Sequence, residues 1–264
     1  MRKLELLKME IARTKLAKDA LELRGKEFAQ AFGRFSELWT GYFEKQAADY
    51  LDFVARNPNV FPAEDIKKLS NEEEAAFRQS VINELIVAYS LGRESQFADI
   101  VAELSVDVSF ELDNAGAQSY ASERAGSLIS GVNETTKKEI GDLILKASQE
   151  KWSLGKVSEE IRSRFEEFGK YRANLISVME MGNAYEAGKR SQFDSYAAEM
   201  GTVGWKRSQT QGDDKVRPSH WANQEAGWIP ANELFPGTQT DHAPHGFNCR
   251  CVTSYRLTDP NSDN

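Results

Sequence analysis

Cysteine, histidine and proline are scarce in this chain of 264 residues, and all three are unevenly placed. There are two cysteines, Cys249 and Cys251. A pair two residues apart cannot build the disulfide framework of a small secreted domain, so a reducing compartment such as a cytoplasm is expected. No apolar run reaches the roughly 18 residues that a membrane-spanning helix needs. The first residues, Met1-Arg2-Lys3-Leu4-Glu5, lack the apolar stretch and small-residue cleavage site of a secretory signal. Basic charge is also short: 33 Lys and Arg stand against 41 Asp and Glu, a net charge of −8. That argues against broad, charge-driven binding to duplex nucleic acid and leaves only local basic patches.

What remains is ordinary globular material, 40% hydrophobic and 28% charged. The length suits one large domain or two modest ones. Proline marks the division: none of the seven lies between Pro62 and Pro218, and five fall in the last 64 residues. Because proline is costly inside helices, the long proline-free stretch permits them and the tail resists them. His220, His242 and His245, both cysteines, and Trp205, Trp221 and Trp228 all sit in that tail. The expected fold class is mainly α, with long helices followed by a small, Pro- and Trp-rich α+β module containing a few short strands. The chain divides into an N-terminal helical region (1–112), a second helical region (113–200) and the module (201–264).

Apolar residues recur at helical spacing through the body. From Leu4 to about Arg56 they include Phe28, Phe32, Phe35, Trp39 and Tyr42, a stripe that suits either the core or a partner. Gly25, Gly33 and Gly41, spaced by eight, suggest close helix contacts or bends. Asn57 to Pro62 reads as a loop, and Ser70 with Glu73 as a capping box for a helix reaching about Ala102. Val106 to Leu112 alternates like a strand but is isolated, so an extended linker is expected. Asn114 then caps a helix ended by Gly131, and Asn133 caps the next. Two more helices are expected, over about 156–168 and 172–200, with Gly201 as the terminating residue. Strands are expected to begin at Trp205, around Gly227-Trp228-Ile229 and from Cys249, followed by a frayed tail from Thr258. There is no repeat with a period of 20–50 residues.

The tail carries the sharpest chemistry. Zinc prefers thiolate and imidazole ligands in a tetrahedral shell, and His220, Cys249, Cys251 and His245 supply that set, with His242 or an aspartate as substitutes. On a strand, residues two apart share a face, so both sulfurs could reach one structural zinc. The bland alternative is a pair of small buried cysteines. Asp213, Asp214, Glu225 and His220 also offer acid–base groups, and a metal-dependent nucleic-acid-processing enzyme using His220, Asp213, Cys249 and Cys251 is the rival reading. No oxyanion-hole motif, phosphate-binding glycine loop or HExxH accompanies them, so no catalytic residue is assigned. Arg217 and Arg250 read as organisers, with Arg217 pairing to Asp213 or Asp214. Arg162, Arg164, Lys170 and Arg172 frame an expected turn at Gly169 and form a candidate docking patch for DNA or an acidic surface, although acidic neighbours also suit a mixed, solvated face.

Several segments resemble the phage head morphogenesis, or Mu F-like minor capsid, family. They are Tyr120 to Thr136, Ile161 to Gly188, and above all the tail motifs Asp213-Asp214-Lys215-Val216-Arg217-Pro218-Ser219-His220, Gly227-Trp228-Ile229-Pro230 and Gly246-Phe247-Asn248-Cys249-Arg250-Cys251. The motif residues Asp213, Arg217, Asn248 and Arg250 are structural in this reading. Where the family often has Ile-Ala-Arg-Thr-Glu, this chain has Leu175 to Glu180 without Arg or Thr. The resemblance implies a minor structural protein of a phage head, assembled in the host cytoplasm and placed at the capsid interior or portal vertex. Its implied partners are the portal and the capsid or scaffolding proteins. DNA retention or delivery and self-association are further implications.

Overall fold

The computed structural model describes residues 24–56, 71–105, 110, 114–246 and 249–260. Four long helices come first: α1 (Lys26–Arg56), α2 (Asn71–Leu104), α3 (Asn114–Gln149) and α4 (Leu154–Met200). The module follows as β1 (Trp205–Gln209), the short α5 (Pro218–Glu225), β2 (Ile229–Pro230) and β3 (Val252–Arg256). The three strands form one antiparallel sheet in the order β2-β1-β3. The mainly α class with a small α+β module is therefore observed. No described helix is long and apolar enough to cross a membrane. The loop at 57–62, the Ser70 end of the capping box and the linker residues other than Phe110 lie outside the described residues.

Two expected helix breaks are absent. Gly131 sits inside α3, which runs unbroken from Asn114 to Gln149. Asn133, rather than capping a new helix, accepts hydrogen bonds from Tyr42 Oη at 2.6 Å and Gln46 Nε2 at 2.9 Å. Gly169 likewise lies within α4, so no turn divides the basic residues around it. A glycine costs a helix only about 1 kcal/mol relative to alanine, which tertiary packing readily offsets. The ends of α4 are well marked: Ser153 Oγ accepts from Lys156 N, and Gly201 closes the helix at φ 63°.

The aromatic stripe of α1 is internal. Phe28, Phe32, Phe35, Trp39 and Tyr42 are all buried, with Trp39 and Phe35 fully so. Phe77 of α2 packs edge-on to Trp39 and stacks on Tyr42 at 4.1 Å. The main core joins this stripe to Val81 and Leu85 of α2, Ala121 and Ala125 of α3, and Ala173 and Met181 of α4. Gly33 and Gly41 are not close-contact points, since a Cβ added at either would meet nothing within 4 Å.

The close contact lies elsewhere, between α2 and α4. A Cβ on Gly92 would come within 1.9 Å of Tyr185 O, and a Cβ on Gly188 within 1.9 Å of Tyr89 O. The next contacts are reciprocal too, Lys189 N for Gly92 and Arg93 N for Gly188. The local sequences match this symmetry: Ala88-Tyr89-Ser90-Leu91-Gly92-Arg93 against Ala184-Tyr185-Glu186-Ala187-Gly188-Lys189, and Ser95-Gln96-Phe97 against Ser191-Gln192-Phe193. The first helices correspond as well, with Ala31, Arg34, Leu38 and Gly41 of α1 matching Ala121, Arg124, Leu128 and Gly131 of α3. Equivalent residues make equivalent bonds. Arg34 forms a two-pronged pair with Glu84, and Arg124 forms one with Glu180. Both second helices end on a left-handed residue, Ser105 at φ 52° and Gly201 at φ 63°. The helical body is thus two copies of one helix-pair pattern, α1–α2 and α3–α4, facing each other across a glycine crossing.

The module packs on the second-helix ends. Phe193 and Ala197 of α4 and Ile100 of α2 join Ala231, Tyr255 and Leu257 in a second core. On the β3 edge turned away from β1, Glu186 Oε2 accepts from Thr253 N at 3.1 Å and Lys189 Nζ donates to Thr253 O at 2.7 Å. Two side chains one turn apart on α4 therefore do what a neighbouring strand would do, and the edge is covered. Thr258 is not frayed: its backbone N–H donates to Glu103, as does that of Leu257.

Candidate metal centre in the C-terminal module

The site grows from three short pieces of chain. Pro218 opens α5 at a position where its missing N–H costs nothing, so the proline that looked like a breaker starts a helix. This helix presents His220 inward, 5% exposed. Gly237 lets the following loop press against it, because a Cβ there would stand 2.1 Å from Ser219 O. Asn223 locks that contact by accepting from Gly237 N and donating to Thr238 Oγ1. Cys249 and Cys251 arrive just ahead of β3 on the opposite wall, each 3% exposed.

These three side chains meet. His220 Nδ1 lies 3.6 Å from Cys249 Sγ and 3.5 Å from Cys251 Sγ, and the three atoms fall within 4.8 Å of one another. The cysteines are not bonded to each other as a disulfide. Their shared hydrogen bond pulls the Cys249 thiol down to about 7, helped against burial by the backbone N–H groups of Cys251 and His245. The same bond, with burial, pushes the Cys251 thiol up. Burial, and then the Arg217 charge, holds His220 below the usual imidazole range. Arg217 Nη1 stands 3.4 Å from His220 Nε2, on the ring edge away from the sulfurs.

His245 is close but differently engaged. Its ring sits edge-on to His220 at 5.4 Å, yet Nε2 is hydrogen-bonded with Ser208 Oγ at 2.8 Å and Nδ1 with Thr240 Oγ1 at 2.7 Å. Both nitrogens are committed, so the structure does not place His245 among the ligand atoms. Burial, followed by the charges of His220, His242 and Lys206, lowers it to about 4. His242 turns Nδ1 to the Ala243 carbonyl. Asp213 faces Arg250 through two bonds of 2.7 and 2.9 Å, an organising pair that ties the 210s loop to the cysteine segment. Asn248 lies outside the described residues.

Sequence reasoning passed over a second buried group of charges. Lys206, fully buried on β1, donates to Asp241 Oδ1 at 2.6 Å and to the Asp241 carbonyl at 2.8 Å. Arg190 of α4 reaches the same carboxylate. Burial alone would raise Asp241, but Lys206 and Arg190 hold it below the usual carboxylate range. A period-two strand with a lysine at an inward position was the available signal. Arg24 is buried too: it lies 3.5 Å from Glu186 and donates to the Cys251 carbonyl at 3.1 Å, joining the residue that precedes α1 by two positions to the cysteine segment.

The basic patch is only partly a surface. Arg162 and Arg164 are exposed on the first half of α4. Arg162 borders a cavity of about 370 Å³ between α1 and α4, with Phe43, Glu44, Ala47 and Phe165. Arg172 is drawn inward, bonding Thr136 and Glu139 and lying over the Phe43 ring. The side chain of Lys170 is outside the described set.

Residues 138–254 match the family model of Phage Mu protein F like protein. No curated protein matches the chain, and no solved structure does. The matched segment takes in the end of α3, all of α4 and the module through most of β3.

Proposed function

We propose that this chain, whose residues 138–254 match the Phage Mu F-like family model, is a minor structural protein of a phage head that docks at the portal or inner capsid and assists head assembly. One observation carries the reading. The matched segment covers all of α4 and most of the module, and Glu186 and Lys189 of α4 fasten the two together through the backbone of Thr253. A unit held this firmly suits a part that transmits position between neighbours in a shell. The groups that the enzyme reading would use are engaged or buried. Asp213 is held by Arg250, His245 has both nitrogens bonded, and Cys249 and Cys251 are closed to solvent. The exposed Arg162 and Arg164 are the docking residues in this proposal, facing an acidic surface on the portal or packaged DNA.

Particle incorporation tests it. The double variant Arg162→Glu/Arg164→Glu should melt within a few degrees of the parent, as exposed substitutions do, yet enter heads several-fold less. It should also copurify less with a portal ring. Full incorporation of a stable double variant would remove these arginines from the docking face. Absence of the parent protein from purified heads and portal preparations would overturn the head assignment.

A further inference from the structure

We propose that His220 Nδ1, Cys249 Sγ and Cys251 Sγ hold one structural zinc ion, which clamps α5 to the segment entering β3. Geometry supplies the argument. Zinc–sulfur bonds of about 2.3 Å and zinc–nitrogen bonds of about 2.05 Å at a tetrahedral angle place N and S about 3.6 Å apart. The two observed Nδ1–Sγ separations are 3.6 and 3.5 Å. Both nitrogen–sulfur separations therefore already suit an ion bound between them, and the three atoms lie within 4.8 Å of one another.

The surroundings fit too. Backbone N–H groups of Cys251 and His245 point at Cys249 Sγ, the outer-layer contact that steadies a metal-bound thiolate. His245 and Asp213 are fixed by other partners, so the described residues supply three ligands to the ion. Arg217 is the one opposing feature. Ligation through Nδ1 leaves the imidazole proton on Nε2, facing the guanidinium at 3.4 Å, donor against donor. Arg217 is exposed and must swing away when the ion enters. It thus weakens the site while leaving it intact, and its removal strengthens binding. The clamp stands independently of the head role, since it concerns only how the module is held.

The test uses the full chain. After exhaustive chelation, cobalt(II) is titrated in and the spectrum recorded, followed by zinc displacement and metal analysis. One equivalent of cobalt should give thiolate-to-metal charge-transfer bands with the intense visible bands of a four-coordinate ion, bleached by one equivalent of zinc. Cys249→Ser/Cys251→Ser should abolish the charge-transfer bands, and His220→Ala should weaken binding at least tenfold. Arg217→Ala should bind several-fold tighter than the parent. A folded parent chain that gives no charge-transfer band and retains no zinc at micromolar metal would overturn the proposal, and so would a metal equivalent surviving in the double-cysteine variant. Because the decisive spectrum is that of the parent chain, misfolding of a variant does not blur the result.

Discussion

Gly92 and Gly188 set how closely the two central helices approach. Each places its missing side chain against the other helix's backbone, 1.9 Å from a carbonyl oxygen that cannot move aside as a flexible side chain would. Adding one methyl forces the helices apart along a core that includes Ala88, Ala184 and Tyr185. Overpacking of this kind costs about 1–3 kcal/mol, and more when backbone rather than side chain must yield. Gly92→Ala and Gly188→Ala should therefore each lower the melting temperature by several degrees, and by similar amounts, because the two sites are reciprocal. Calorimetry on both variants checks this. Alanine at either site with an unchanged Tm would mean that the crossing is looser than described. The buried ions around the crossing follow the same local logic. Glu186, with no exposure, and Lys189, at 5%, are tolerable inside because each ends on a backbone group of Thr253.

At the scale of elements, a glycine's neighbours decide what it does. Gly131 is exposed within α3, and an added Cβ would meet nothing within 4 Å. Gly131→Ala should then stabilise the protein by about 0.5–1 kcal/mol, through helix propensity and a less free unfolded chain. A rise of a few degrees in Tm is expected, and a fall would show a contact that the fold does not explain. The same residue shows why a glycine in the sequence does not by itself end a helix: continuity here is set by Ala125, Ile129 and Val132 packing in the main core. Periodicity revealed that helices exist and which faces they bury, since Phe28 to Tyr42 repeats at the right spacing. It could not show that this face was internal, because the covering residues, such as Phe77, are distant in sequence. Pro218 reads as a breaker by composition, whereas a proline standing first in a helix opens it, as here in α5. The paired architecture was legible in principle in the Tyr-x-x-Gly-[Arg/Lys] motifs. The copies lie 90–96 residues apart, beyond the usual repeat periods, and agree mainly at contact positions, so they form no regular sequence repeat. In the candidate site, ligand chemistry alone pointed to His220, Cys249 and Cys251. His245 looked equivalent by type, and only the distant Ser208 and nearby Thr240 reveal that its nitrogens are used.

At the scale of the whole molecule, the composition boundary near residue 201 is not a boundary in the packing. The module takes up the ends of α2 and α4: Ile100, Phe193 and Ala197 are covered by Ala231, Tyr255 and Leu257, and Glu103 receives the backbone of Leu257 and Thr258. A chain ending at Met200 would keep the glycine crossing and the Arg–Glu pairs of both helix pairs. Its Glu186 and Lys189 would regain water, so they would not hold unpaired charge inside. The apolar surface has no such remedy. Phe193, 1% exposed in the intact chain, would lie bare beside Ile100 and Ala197 on a surface flanked by polar side chains, the kind of patch that recruits another molecule. Residues 1–200 alone should therefore retain strong helical circular dichroism, melt well below the full chain, and self-associate at concentrations where the full chain does not. Sedimentation velocity and thermal melts on the two chains decide the matter. If the shortened chain were monomeric and melted at the parent's temperature, the module would be an appendage, and the unit proposed to transmit position in the head would not exist.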